Sequence, residues 1–358
     1  MKRDMFAYVL SFSELLIQVK TPPRPKRHEC MVVPVPSLEK GGGFCGGFAA
    51  HPGKTNSATE TTQQNTYQPR QDGDERGHDR SVMVSQMKGP GEIRKEARAW
   101  KSQLLTAKAR TKIGTWNVRT LYSAGKLAQV LNEMKRYHVD IMGISEMRWT
   151  DCGKMESDGF TIYYSGGNKH ERGVGIILTA EMARAVIAWE PVNDRIITIR
   201  LQTKYMKITL IQVYAPTNAA DDKEKDEFYE VLQAIMDGTP EHDMKLFLED
   251  CNAQVGKDNT GWEETMGREA IGTRNENGER LLSYCSSNKL KVGGSIFKHR
   301  DIHLGTWRSP NGQTVNQIDH ICYSRRWASS VQDVRSCRGP DVGSDHYLVM
   351  ATRKCTQS

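Results

Sequence analysis

The chain has 358 residues, 37% hydrophobic and 26% charged, enough for one large domain plus an extension. Its net charge of +7 is the lysine and arginine excess of residues 1–110, which leaves residues 111–358 neutral and without a general electrostatic bias toward anionic partners. The eight cysteines at positions 30, 45, 152, 251, 285, 322, 337 and 355 form no C-x-x-C pair, which argues against a disulfide framework and a zinc finger and favours free thiols in a reducing compartment.

Met1-Lys2-Arg3 followed by Phe6 to Leu10 weakly imitates a signal peptide, but Glu14 interrupts the run and no small-residue cleavage site follows. No stretch is long and apolar enough to be expected to span a membrane. Residues 1–110 read as a largely disordered, basic N-terminal extension. Thr21-Pro22-Pro23-Arg24-Pro25, Gly41-Gly42-Gly43 and the polar tract Asn56 to Arg80 lack periodicity and apolar surface to bury. The basic run Ile93 to Lys112 reads as a solvated linker, with a nucleic-acid-touching arm as the alternative.

From residue 111 to 356 the pattern is α/β. Ile113 to Val118 predicts a strand, and Leu127, Val130, Leu131 and Met134 predict a helix. Asp140 to Ile144 reads as a buried strand ending at Glu146. Strands follow over Phe160 to Tyr164, Gly173 to Thr179, Arg195 to Leu201 and Met206 to Tyr214. A second helix carries Phe228, Val231, Leu232 and Ile235 and stops at Gly238. Met244 to Leu248 is a strand running into Glu249-Asp250-Cys251-Asn252. A third helix spans Glu279 to Asn288, before short strands near Leu290, Thr306, Ile318 and Tyr347. Two mixed sheets packed face to face, with helices outside, is the expected architecture.

Polar signatures stand at the strand ends: Thr115-Trp116-Asn117, Ser145-Glu146, Asp250-Cys251-Asn252, Gln317-Ile318-Asp319-His320 and Ser344-Asp345-His346. Carboxylates, amides and an Asp-His pair delivered from separate strands suit a hard divalent cation and in-line attack on phosphorus. With Tyr214-Ala215-Pro216-Thr217, their order resembles the endonuclease/exonuclease/phosphatase superfamily, over roughly Lys112 to Lys354. Thr115 to Leu121, Ser145 to Trp149 and Asn316 to Ile321 more narrowly resemble the craniofacial development protein 2 group and the endonuclease domains of long interspersed retroelements.

The resemblance implies a four-layer α/β sandwich and a metal-dependent nuclease. Glu146 is then the principal Mg²⁺ ligand, with Mn²⁺ able to substitute, and Asn117 and Asp345 complete or neighbour that shell. Asp319 orients His346, His346 and Asp250 share proton transfer and phosphate stabilisation, and Asn252 orients the nucleophile or a phosphate oxygen. Tyr214 either contacts phosphate or packs beneath the Pro216 turn. Arg195 is a candidate phosphate contact or an exposed strand-start arginine, and Trp307 and Arg325 are candidates for a nucleic-acid groove. His320 alternates to the opposite strand face from Asp319 and reads as packed. His299 and His303 have the spacing of a helical metal pair but a loop context. One departure stands out: the superfamily usually has glycine where this chain has Glu249, a bulk and charge expected to lie beside the substrate and reduce activity.

The expected function is a retroelement-derived, Mg²⁺-dependent DNA endonuclease without reverse transcriptase, intracellular and nuclear, with RNA as a further partner. The alternatives are a phosphatase or phosphodiesterase of the same fold acting on a lipid or nucleotide, and a catalytically silent nucleic-acid or chromatin-associated protein.

Overall fold

Alternation of apolar and polar residues in the strands sends each strand's side chains to two faces, and both faces are covered. The computed structural model describes residues 110–354; the readings made for the N-terminal extension lie outside them. In chain order the elements are β1 (Arg110–Asn117), α1 (Lys126–Tyr137), β2 (Ile141–Ser145), β3 (Cys152–Ser157), β4 (Phe160–Ser165), β5 (Val174–Thr179), α2 (Ala180–Ala183), β6 (Val186–Asn193), β7 (Ile196–Gln202) and β8 (Lys207–Tyr214). They continue with α3 (Asp222–Gly238), β9 (Met244–Asp250), α4 (Glu276–Ser287), β10 (Leu290–Val292), β11 (Trp307–Arg308), β12 (Val315–Asn316), β13 (Asp319–Ser324), β14 (Val331–Cys337) and β15 (Leu348–Lys354).

One sheet has the order β14-β15-β1-β2-β5-β4-β3 and the other β10-β13-β9-β8-β7-β6. The parallel neighbours β1/β2 and β8/β9 are joined through α1 and α3, as parallel pairing requires a crossover. Ile113, Ile141 and Ile176 of the first sheet meet Leu210, Leu246, Leu248 and Ile321 of the second in an interior core. The outer face of the first sheet packs Trp116, Met142 and Ile144 on Val130, Leu131 and Met134 of α1. The outer face of the second packs Ile211, Phe247 and Cys322 on Phe228 and Leu232 of α3 and Leu281, Leu282 and Cys285 of α4. This is the expected sandwich of two mixed sheets flanked by helices.

The helices are bounded as local chemistry dictates. His138, in the left-handed conformation (φ 54°), ends α1, with Lys135 and Arg136 in its last turn favouring the dipole's negative end. Asp221 caps α3 by accepting from the Glu224 backbone N–H, and Asn275 caps α4 through the Gly278 N–H. The α3 stripe differs from expectation: Phe228, Leu232 and Met236 are buried, while Val231 is exposed. Strands β3, β6 and β14 had no clear sequence signal. All three are sheet edges, where one side needs no partner and half the residues face water; β6 also contains Pro191 and two register shifts.

Candidate active site

Strand parity decides what gathers at the open end of the interior seam. Ile113, Ile141, Leu248 and Ile321 point into the interior core, so Thr115 and Asn117 on β1, Ser145 on β2, Asp250 on β9 and Asp319 on β13 point the same way. Tyr214, on β8, pairs in register with Asp250, which pairs with Asp319. His346 enters from the loop before β15. Strands from both sheets therefore deliver polar side chains to one place.

His346 Nδ1 lies 3.0 Å from both carboxylate oxygens of Asp319 and donates to that group. Its backbone is fixed as well: Trp116 Nε1 donates to the His346 carbonyl (2.9 Å), and the His346 N–H donates to Ser344 Oγ (3.1 Å). Thr306 Oγ1 accepts from the backbone N–H groups of Ile318 and Asp319, setting the other partner. Asn117 Nδ2 donates to Glu146 Oε1 (2.8 Å) and to Asp250 Oδ2 (2.7 Å), so one amide holds two carboxylates in place. Tyr214 OH donates to Glu146 Oε1 (3.2 Å) and Arg148 Nη2 to Glu146 Oε2 (3.1 Å).

Four of the eight described non-glycine residues with positive φ surround this cluster: Arg119 (60°), Glu146 (53°), Arg148 (58°) and Asn252 (48°). Such conformations cost energy and persist only where the surroundings impose them, as functional sites commonly do.

Burial pushes the Asp250 carboxyl up, as does the Asp319 carboxylate, against the pull of His346 and the Asn117 hydrogen bond. Burial alone would lower His346, but Asp319 and Asp250 outweigh it and push it up to about 10, so it is an imidazolium at neutral pH. Burial raises the Tyr214 phenol far above its ordinary value, as do Glu146 and Asp250, which keeps it a donor.

Ligand atoms of Asp250, Asp319 and His346 lie within 4.8 Å of one another, with Glu146 tied to Asp250 through Asn117. Three carboxyl groups face the His346 imidazolium and the Arg148 guanidinium on Glu146, a set with oxygen donors in excess of cations, which fits a hard divalent cation. The buried Oδ1 of Asp345 accepts no hydrogen bond, a further oxygen of that kind.

A model of the Endonuclease/Exonuclease/phosphatase family matches residues 114–346. The chain belongs to that family. It is 41% identical over 251 residues to craniofacial development protein 2 of Bos taurus, covering 70% of this chain and 42% of that protein. The chain thus spans less than half the length of the curated relatives it matches. Among solved structures it is similar to an AP endonuclease from Leishmania major, with TM-score 0.52 and 13% identity over 73% of this chain and 99% of that one. It is also similar to the endonuclease domain of the telomere-specific non-LTR retrotransposon TRAS1, with TM-score 0.50 and 13% identity over 69% of this chain and 100% of that one. These likenesses show the family's fold.

Against that family frame, each expected site residue has a definite position. Asn117, Glu146, Tyr214, Asp250, Asp319 and His346 meet as expected. Asn252 is beside them, its N–H donating to Asp250 Oδ1 (3.4 Å) and its amide to the Ala215 carbonyl (3.4 Å). Asp345 sits at the rim, accepting from Trp307 Nε1 (3.1 Å), with Arg119 Nε 3.7 Å away. Asn117 Oδ1 accepts the Arg119 N–H (2.8 Å), so its amide is occupied as a spacer.

Three expectations need correction. Arg325 follows the far end of β13 and pairs with Glu264; six residues of extended strand, about 20 Å, separate it from Asp319. Arg195 is held by the Tyr214 carbonyl (3.0 Å) and Glu224 (2.6 Å), with its guanidinium 5.4 Å from the Tyr214 ring; it braces Tyr214 instead of presenting itself to a ligand. Glu249 does not lie beside the site. It alternates with Asp250 to the α4 face, accepts from Cys251 Sγ (2.7 Å) and lies 3.9 Å from Cys322 Sγ. Burial pushes its carboxyl up to about 7. His320, opposite Glu249 in register, is packed as expected, with Nε2 donating to the Ala253 carbonyl. His299 pairs with Asp333 and His303 with the Ser336 carbonyl, so they share no ligand position.

Sequence reasoning missed Gln212. Its fully buried amide donates to Ser145 Oγ (2.9 Å) and its Oε1 faces Thr115 Oγ1 (3.4 Å), making a polar bridge between the sheets beneath the site. Gly143 leaves the room: a Cβ there would sit 1.7 Å from Gln212 Oε1. A glutamine on the core-facing parity of an apolar strand was the available signal. Asn277, in the first turn of α4, donates to the carbonyls of Pro216, Cys251 and Asn252, clamping two site loops.

Proposed function

We propose that the chain is a divalent-metal-dependent phosphodiester hydrolase acting on DNA, with Mg²⁺ the natural cation and Mn²⁺ able to replace it. The observation that carries this reading is the Asp319–His346 pair set against Asp250, with Glu146 held on the same Asn117 amide. Glu146 and Asp345 are the proposed carboxylate ligands, with Asn117 positioning Glu146. A bound dication would neutralise charge on the phosphate and favour departure of the leaving oxygen.

The protein's own groups do the rest. Imidazolium His346, kept charged by Asp319, donates to a non-bridging phosphate oxygen and balances the charge that develops in attack. Asp250, with its raised proton affinity, takes the proton from the attacking water, and Asn252 fixes that water's direction. Tyr214 donates to Glu146 and holds it toward the phosphate. We further propose retroelement ancestry, a nuclear location and capacity to contact RNA, on the likeness to a retrotransposon endonuclease domain.

The test sets supercoiled DNA, an abasic duplex, RNA and a phosphoinositide side by side with Mg²⁺, for the wild type and for Glu146→Ala. DNA nicking that disappears in Glu146→Ala, while DNA binding remains, supports the proposal. Release of phosphate from the phosphoinositide alone, or nicking unchanged by the substitution, refutes it.

A further inference from the structure

Tyr122 is the most exposed large hydrophobic side chain of the described residues, at 65%. It is five residues beyond Asn117, and its ring stands 4.3 Å from that of His170, inclined by 42°. The backbone under Tyr122 and the ring of His170 are both held by hydrogen bonds. The Tyr122 N–H donates to Thr120 Oγ1 (3.0 Å), and the N–H of Leu121 beside it donates to the Met147 carbonyl (2.9 Å), one residue past Glu146. His170 Nδ1 donates to the Arg148 carbonyl (2.7 Å), while the Arg148 N–H donates to the Arg172 carbonyl (2.7 Å). The aromatic pair is therefore fastened to the two loops that carry Asn117 and Glu146.

Two arginines flank it. Arg119 and Arg148 are 56% and 41% exposed and both hold a left-handed backbone. The described part of the chain has little net charge to draw a phosphate backbone, so contacts that do not depend on charge would add to what these two arginines supply. An aromatic face supplies them, because every base has a π-face to stack on it. A paired base within a duplex hides that face; an unpaired one offers it.

We propose that Tyr122 and His170 form a stacking shelf for an unpaired nucleobase flanking the phosphodiester at Glu146, with Arg119 and Arg148 contacting the adjoining phosphates. The inference rests on the hydrolase reading for the position of the phosphodiester. It directs the chain toward single-stranded or locally unpaired DNA over intact duplex.

The experiment uses the full chain in EDTA, where cleavage is suppressed, with a single strand of about twelve nucleotides carrying 2-aminopurine. Stacking quenches the probe's fluorescence. The wild type is expected to quench it, and Tyr122→Ala to lose most of the quench and bind roughly ten-fold more weakly. Tyr122→Phe keeps the ring and should retain both, and His170→Ala should fall between. Equal melting temperatures will confirm that these surface substitutions leave the fold intact. Equal quench and affinity in wild type and Tyr122→Ala, or no quench by the wild type, overturns the shelf. Mg²⁺-dependent cleavage is scored separately: cleavage without Tyr122-dependent quenching counts against the shelf alone, and Tyr122-dependent quenching without cleavage supports the shelf while counting against the hydrolase.

Discussion

Replacing Glu249 with glutamine tests the placement of its side chain through stability. The carboxyl is fully enclosed among Cys251, Cys322 and the α4 side chains, and its Oε1 has no hydrogen-bond partner. In the unfolded chain it titrates near 4.5, in the fold near 7. The folded protein therefore binds this proton more tightly than the unfolded chain, by about 3 kcal/mol. A raised carboxyl contributes stability that is fully present below the unfolded value of 4.5 and is lost as pH rises through 7. Glutamine keeps the shape and an acceptor for Cys251 Sγ but cannot ionise. Glu249→Gln should match the wild type near pH 4, pull ahead as pH rises, and level off above pH 7 at about 3 kcal/mol more stable. Urea unfolding of both proteins at intervals from pH 4 to 8.5 measures the difference, and a domain of this size should show roughly 2–4 °C in Tm per kcal/mol. A stability difference that does not change with pH refutes the buried placement. The same placement predicts that Glu249→Gly will not raise cleavage, because the side chain it removes faces away from the substrate.

Other expected outcomes address the site. Asp319→Asn removes the charge that holds His346 as imidazolium; that ion contributes stability fully present below the ordinary histidine value and lost as pH rises through about 10. The variant should therefore lose on the order of 3–5 kcal/mol at pH 7 and less above pH 10, read by denaturant unfolding. Gln212→Leu takes the acceptor from Thr115 Oγ1 and the donor from Ser145 Oγ, which keeps only its bond to the Val213 carbonyl, and should cost about 1–3 kcal/mol, with cleavage slowed and Glu146→Ala-level inactivity not reached. Arg325→Ala should leave kcat/KM for DNA within about two-fold of wild type, since surface substitutions remote from a site are near neutral; a ten-fold loss would return Arg325 to the substrate path.

The interior strands and the site were legible because their signals are dense. Asn117, Glu146 and Asp250 each close or follow an apolar run and Asp319 and His346 stand at the start of one, and the ends of neighbouring strands gather by geometry alone. Alternation puts His320 on the strand face away from the site, where it packs against the Ala253 carbonyl. The same alternation removes Glu249, its register partner on β9, and would have placed Gln212 on the core face of β8. Partner choice was not legible. Nothing in the residues around Arg195 announced Glu224, 29 positions on, and nothing around Arg325 announced Glu264. Edge strands β3, β6 and β14 escaped because a strand that pairs on one side only can be polar, bulged or proline-bearing and still hold its place.

The Asn117 bridge joins groups from both sheets. Asn117 and Glu146 belong to the strand ends of one sheet and Asp250 to the other; His346 and Asp319 are divided in the same way. The chain completes β1 to β5, builds the whole second sheet, and only then returns to add β14 and β15. A fragment ending before β6 keeps Asn117 and Glu146 but lacks Asp250, Asp319 and His346, and its complement carries those three without Asn117 and Glu146, so each is expected to be inert alone, and cleavage restored on mixing them would report docking of the sheets directly.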